Sequence, residues 1–225
     1  MVITVPECVS TLNGRTAVAE FWHSELTLSA AWSAGCEDAY LMHHTVREGL
    51  ASGPDKERVL YRVERAPSDR WGVAGLPLRL LVRSLHKPNW DAWLAAEKLT
   101  RAVVHHERRT WHAGNRIRLE GAASPVVSRN CPAGGRRRRD PLRSTEECQE
   151  WMAERLTRAG FPCRPDAITV APPIRTHQRG HLVVTRDFTV VADILQPDDL
   201  VALLTTGIGR NRAWGAGMFT AHPIT

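Results

Sequence analysis

NRIRLEG, residues 115–121, is the stretch on which the fold turns. It reads as a strand, and the architecture depends on which strand it is. Working back toward the N-terminus, NWDAWLAAEKL (89–99) reads as a short helix after Pro88. LRLLVRS (78–84) alternates as Leu78, Leu80 and Val82, and RVLYRVE (58–64) as Val59, Tyr61 and Val63. A helical segment covers about Glu37 to Leu50. WHSELTLSA (22–30) alternates again, with Trp22, Leu26 and Leu28 on one face. Residues 1–21 show no sustained periodicity and read as an N-terminal extension. Taken as the fourth strand, 115–121 completes the order β-α-β-β-α-β, the ferredoxin-like or RRM-like unit.

The same order returns on the C-terminal side. RRRRDPLR (136–143) can hold a short strand. Ser144 and Glu147 form the S-x-x-E pattern of a capping box. The helix behind it carries Cys148, Trp151, Met152, Leu156 and Ala159 on one stripe, and Gly160 ends it. AITVAPPI (167–174) is a strand broken by two prolines, and HLVVTRDFTVVADI (181–194) alternates through Phe188, Val190, Ala192 and Ile194. Pro197 opens a helix through Leu204, and a last strand lies near Met218. The reading is an α+β chain of tandem ferredoxin-like βαββαβ domains. It comprises an extension (1–21), an N-terminal domain (22–124), a basic linker (125–137) and a C-terminal domain (138–225).

Composition narrows the ligand. Net charge is +6, and of 30 basic residues only Lys56, Lys87 and Lys98 are lysine. Arginine matches phosphate geometry and stacks on bases, so the excess points to nucleic acid. Five cysteines without C-x-x-C spacing fit a reducing compartment, and no apolar run approaches a membrane span. The expectation is a cytoplasmic protein without a membrane partner. No H-E-x-x-H or comparable spacing suggests a metal, and no cofactor is expected.

Three places carry candidate chemistry. The run Arg136, Arg137, Arg138 and Arg139 is the densest charge in the chain, and four adjacent guanidinium groups call for an anion. Arg175 and Arg179 are further candidate RNA contacts. GIGRNRAWGAGMF (207–219) places Gly207, Gly209, Gly215 and Gly217 around Arg210 and Arg212. Its spacing fits neither a P-loop nor a dinucleotide fingerprint, and such a loop lets backbone N–H groups approach an anion closely. On the first helix, Ala39, Met42, Val46 and Leu50 form the apolar stripe, and Tyr40, His43 and Arg47 fall on its border. A histidine there can act as acid or base at neutral pH.

DAYLMHHTV, RVLYRVE, RIRLEGAASPVVSR and GIGRNRAWGAGMF, in that order, resemble the CasE family of CRISPR repeat endoribonucleases, within the RAMP superfamily. The resemblance spans about residues 22–223. The family's terminal loop, G-[IV]-G-x-x-[KR]-[AS]-x-G-x-G, is matched from Gly207 to Gly217. Its Y-x-x-H pattern falls on Tyr40 and His43. Some members add a lysine further along that helix. Here Glu48 stands near that place, which leaves Arg47 as the nearest cation. The R-x-R-A-N-P of relatives is replaced by Arg118, Leu119, Glu120 and Gly121.

The resemblance implies tandem ferredoxin-like domains and a metal-independent endoribonuclease. Such an enzyme cuts CRISPR precursor RNA 3′ of the repeat hairpin. A 2′-hydroxyl attacks the adjacent phosphorus, giving a 2′,3′-cyclic phosphate and a 5′-hydroxyl. The enzyme then stays on the product hairpin, with other Cascade subunits as partners. Tyr40 and His43 would share the proton transfers, in either order, and Arg47 would hold charge. The alternative is a non-cleaving hairpin-RNA-binding subunit of a ribonucleoprotein complex.

Overall fold

The computed structural model describes residues 14–35, 39–50, 59–64, 78–129, 138–178 and 181–224. A first set of elements runs β1 (Thr16–Leu28), α1 (Ala30–Gly35), α2 (Ala39–Glu48), β2 (Leu60–Glu64), β3 (Arg79–Ser84), α3 (Asp91–Ala95) and β4 (Leu99–His112). Its strands form one antiparallel sheet in the order β2-β3-β1-β4. That is the ferredoxin-like arrangement.

β4 therefore takes the place that the sequence reading gave to 115–121. β4 lies at the sheet edge and pairs only β1 among the described strands, so much of it is wet. His105, His106, Arg108 and Arg109 are exposed or half-exposed there and mask the period-2 signal. The stretch Arg116–Ala123 becomes β5, the first strand of the second unit, with Ile117 and Leu119 fully buried. The break between the two sheets thus falls at the turn around Gly114, ahead of the 125–137 segment. β1 also begins at Thr16, inside the expected extension; of that extension, residues 1–13 lie outside the described residues.

After β5 comes a two-stranded ribbon, β6 (Val126–Arg129) and β7 (Arg138–Pro141). The short strand read from 136–143 therefore belongs to this ribbon, because β5 already fills the central position. The unit continues with α4 (Thr145–Arg158), β8 (Ile168–Val170), β9 (Ile174–Gln178), β10 (His181–Asp193), α5 (Pro197–Thr206) and β11 (Phe219–Pro223). The sheet order is β11-β5-β10-β8, with β9 pairing the first half of β10. The capping box forms: Ser144 Oγ accepts from the Glu147 N–H at 3.1 Å, and Glu147 Oε2 accepts from the Ser144 N–H at 3.2 Å. The backbone N–H groups of Ser144 and Arg143, both donating to Oε2, hold the Glu147 carboxyl below its usual range.

Each unit covers one sheet face with helices. Leu26, Leu28, Leu80 and Val82 pack under Met42 and Val46 of α2 and under Trp90 and Trp93. Ile117, Leu119, Phe188 and Val190 pack under Cys148, Met152 and Leu156 of α4 and Leu200, Leu203 and Leu204 of α5. The other face of β1 joins this second core through Ala19 and Phe21. Each fully buried large apolar side chain contributes about 1.5–3 kcal/mol, so this shared core holds the units together. Arg83 of β3 pins the junction. It is 4% exposed, and its Nη1 donates to the Leu204 carbonyl at 2.7 Å and the Phe219 carbonyl at 2.8 Å. Its guanidinium lies 4.2 Å from the centre of the Phe21 ring.

Candidate functional site

The junction brings α2 of one unit against the glycine loop of the other. On α2, Met42 and Val46 face the core, His43 is half-buried, and His44 and Arg47 are exposed. That order around the helix is the one its 3.6-residue period requires. Tyr40 lies one turn earlier on the same helix. His44 Nδ1 sits 3.4 Å from Glu48 Oε1, and Glu48 Oε2 lies 3.8 Å from Lys98 Nζ. Glu48 is thus engaged on a different side of the helix from His43.

The loop leaves α5 at Gly207 and makes a single 3-10 turn, Arg212–Trp214, between Asn211 (φ 60°) and Gly215 (φ 77°). The Trp214 indole meets the His43 imidazole edge-on, with ring centres 5.3 Å apart and planes at 65°. Tyr61 of β2, 1% exposed, donates its hydroxyl to the Ala213 carbonyl at 3.1 Å. Gly215 rests on the Tyr61 ring, where a Cβ would come within 3.0 Å of Cε2. At Gly217 (φ 94°) a Cβ would overlap the Ile208 carbonyl oxygen and reach 2.7 Å from Arg212 Cγ. Contacts inside the protein therefore account for the missing side chains at both glycines.

The two loop arginines differ. Arg212 Nη1 donates to the Thr206 carbonyl at 2.7 Å and closes the end of α5, whereas Arg210 is exposed. Asn211 Nδ2 donates to Ser124 Oγ at 3.0 Å, which ties the loop to the end of β5. β9, which carries an exposed Arg175, runs alongside α2. Arg138 and Arg139 lie in β7; Arg136, Arg137 and Arg179 lie outside the described residues.

The electrostatics of His43 follow from this packing. Burial lowers its pKa below 6.5, and Arg47 and His44 lower it further. The imidazole is therefore neutral at pH 7, with one ring nitrogen able to accept a proton. The sequence reading missed Tyr61 and Trp214 as parts of this site. Both lie in stretches singled out for other reasons, and only the contact across the junction reveals their role.

A family described as CRISPR associated protein matches residues 21–223. Among curated proteins, none matches the chain. Similar solved structures include Thermus thermophilus Cse3 bound to an RNA representing a pre-cleavage complex. It is 24% identical with a TM-score of 0.71, covering 91% of this chain and 100% of that one. A structure of the CRISPR endoribonuclease Cse3 bound to a 19 nt RNA is 25% identical, with a TM-score of 0.67 and coverage of 90% and 100%. The CRISPR-associated protein Cas6e from Escherichia coli K-12 is 21% identical, with a TM-score of 0.59 and coverage of 90% and 100%. No helix among the described residues is long and apolar enough to cross a membrane.

Proposed function

The chain belongs to the CRISPR associated protein family, and from that premise we propose that it is an endoribonuclease that matures CRISPR RNA. It cuts precursor RNA 3′ of the repeat hairpin and keeps the product as a subunit of a CRISPR RNA-guided complex. The observation that carries the reading is the meeting of α2 and the glycine loop, which sets a half-buried, neutral His43 at the junction of the two units. Cse3 structures of the same fold carry RNA, and one of them represents a pre-cleavage complex.

In the proposed reaction the RNA's own 2′-hydroxyl attacks the neighbouring phosphorus. His43, neutral at pH 7, accepts the 2′ proton. Tyr40, three residues earlier on the helix, supplies the proton for the departing 5′-oxygen. Arg47, one turn beyond His43, balances charge on the phosphorane. The bound RNA brings nucleophile and phosphorus together, so the protein moves protons and steadies charge, and no metal is required. Arg210, Arg175 and the Arg136–Arg139 run contact RNA phosphates. The site of action is the cytoplasm.

The test is a repeat RNA with a single 2′-deoxy nucleotide just 5′ of the cut. It should bind normally and remain whole. Unmodified RNA should be cut equally well in excess EDTA, leaving a 5′ fragment without a free 3′-hydroxyl. Cleavage of the deoxy substrate, or loss of activity on chelation, removes the mechanism. Tight binding without any cut returns the chain to a non-cleaving RNA-binding subunit.

A further inference from the structure

Resting on the nuclease reading, we infer that Trp214 is a positioning residue for His43, held in place by Tyr61 across the junction of the two units. The proposed reaction uses neither aromatic side chain. Yet both stand where the orientation of the imidazole is decided.

Edge-to-face packing fixes ring orientation as well as contact, because the positive rim of one ring meets the negative face of the other. His43 and Trp214 have that geometry, at 5.3 Å and 65°. An unbuttressed imidazole on a helix border rotates freely about its side-chain bonds. One packed against an indole keeps its nitrogens aimed in one direction.

The indole is itself fixed. Its residue closes a tight turn bounded by two left-handed residues, Asn211 and Gly215, and the Trp214 N–H donates to the Asn211 carbonyl at 2.8 Å. The preceding carbonyl, Ala213, accepts the hydroxyl of the buried Tyr61 at 3.1 Å. The following residue, Gly215, rests on the Tyr61 ring. A sheet residue of the first unit thus grips the loop of the second on both sides of Trp214.

The same packing desolvates the imidazole, and burial is the largest cause of its lowered pKa. Charged and titratable residues on the elements packed around it, among the described side chains, are Arg47 and His44 on α2, Arg210 and Arg212 on the loop, and Arg175 on β9. Of these, Arg47 and His44 add to the lowering. Removing the indole should let water reach the ring and raise the imidazole pKa.

The experiment compares Trp214→Ala and Trp214→Phe with the unaltered protein. The readouts are single-turnover cleavage of repeat RNA at saturating protein, RNA affinity, and the NMR titration of the His43 imidazole. Trp214→Ala should slow cleavage on the order of 10- to 100-fold, the scale of a misplaced catalytic group. Affinity should stay within about twofold, and the imidazole should titrate at higher pH. Trp214→Phe should restore most of the rate and the original titration. Tyr61→Phe keeps the ring and removes only the hydroxyl, so it should show smaller changes in the same directions if Trp214→Ala does not fold.

Unchanged rate and titration in Trp214→Ala and Tyr61→Phe overturn the proposal. So does a rate loss matched by an equal affinity loss with the titration unmoved, which makes the indole an RNA contact. If the unaltered protein cuts nothing but the titration moves as stated, positioning is supported and the nuclease reading fails by itself.

Discussion

Beneath α4 and α5 the second unit buries largely apolar side chains, among them Cys148, Met152, Leu156, Ile117, Phe188 and Leu203, and its buried Arg186 finds acceptors within the same unit, the Ala171 and Arg143 carbonyls. The first unit turns a different face toward its neighbour. Phe21 shares that face with His23 and Arg83, which are 7% and 4% exposed. Arg83 finds acceptors in two carbonyls of the other unit. Burial of a charge without partners costs several kcal/mol, and docking supplies the two acceptors that offset it. Docking also delivers Trp214 to His43. One unit brings His43, and the other brings the aromatic wall against it.

The comparison breaks most sharply at His43. His43→Ala should lower single-turnover cleavage about 10²- to 10⁴-fold, or roughly 3–5 kcal/mol of barrier, with RNA affinity nearly intact. His44→Ala should cost little, because His44 is exposed and turned toward Glu48. Equal losses in the two variants would mean that the face of α2 meeting the loop is not the reactive one.

Arg83→Met tests whether the junction holds the molecule together. Methionine fills similar space but leaves the Leu204 and Phe219 carbonyls without their donor. Two buried unsatisfied acceptors cost roughly 3–4 kcal/mol together. Urea unfolding should show a lower midpoint, and cleavage should fall with it. An unchanged midpoint would make the units independent and the arginine incidental. Burial lowers the Arg83 pKa to about 10, so the donor stays charged at neutral pH.

His23 gives the same face a pH signature. Its pKa is lowered to about 4, first by burial and then by Arg83 and His105, and its ring stacks on His105 at 5.1 Å. Unfolding restores an ordinary value near 6.5, so the unfolded chain binds the proton more readily. The stabilising contribution is complete above pH 6.5 and is lost as pH falls toward 4, to a ceiling of about 3 kcal/mol. His23→Gln removes the titration, so its stability should fall less than the unaltered protein's between pH 7 and pH 4.5. Parallel pH curves would place the proton uptake elsewhere.

The same contrast explains what the sequence disclosed. In the second unit the strongest local signals agree with the fold: the Ser144–Glu147 box, the Cys148–Met152–Leu156 stripe, and the alternation of Phe188, Val190 and Ala192. A central strand with two neighbours, such as Arg116–Ala123, is apolar enough to read as a strand, but its periodicity does not say which sheet it joins. Edge strand β4 has one neighbour and carries charge, so its periodicity is weak. At the site, helical spacing was enough to put His43 on the border of α2 and Glu48 away from it. The Trp214 contact joins residues 171 positions apart, and no local pattern encodes it.

The smallest effect sharpens the comparison within the loop itself. Arg210 and Arg212 are two residues apart, but Arg212 is spent on the Thr206 carbonyl and Arg210 is exposed. Arg212→Ala should therefore cost stability, about 1.5 kcal/mol, the low end for a charged donor at a half-buried position. Arg210→Ala should leave the unfolding midpoint alone and act only on RNA. Losing one phosphate contact lowers the log–log salt slope of binding by about 0.9 on the duplex-DNA scale, and affinity falls several-fold. Cleavage of RNA that still binds should proceed at the unaltered rate, because Arg210 does not touch the proton transfers. A steeper loss in cleavage than in affinity would move Arg210 into the reactive site. An unchanged slope would instead leave it a solvated loop residue, with Arg175 and the arginines of the β6–β7 ribbon carrying the backbone contacts.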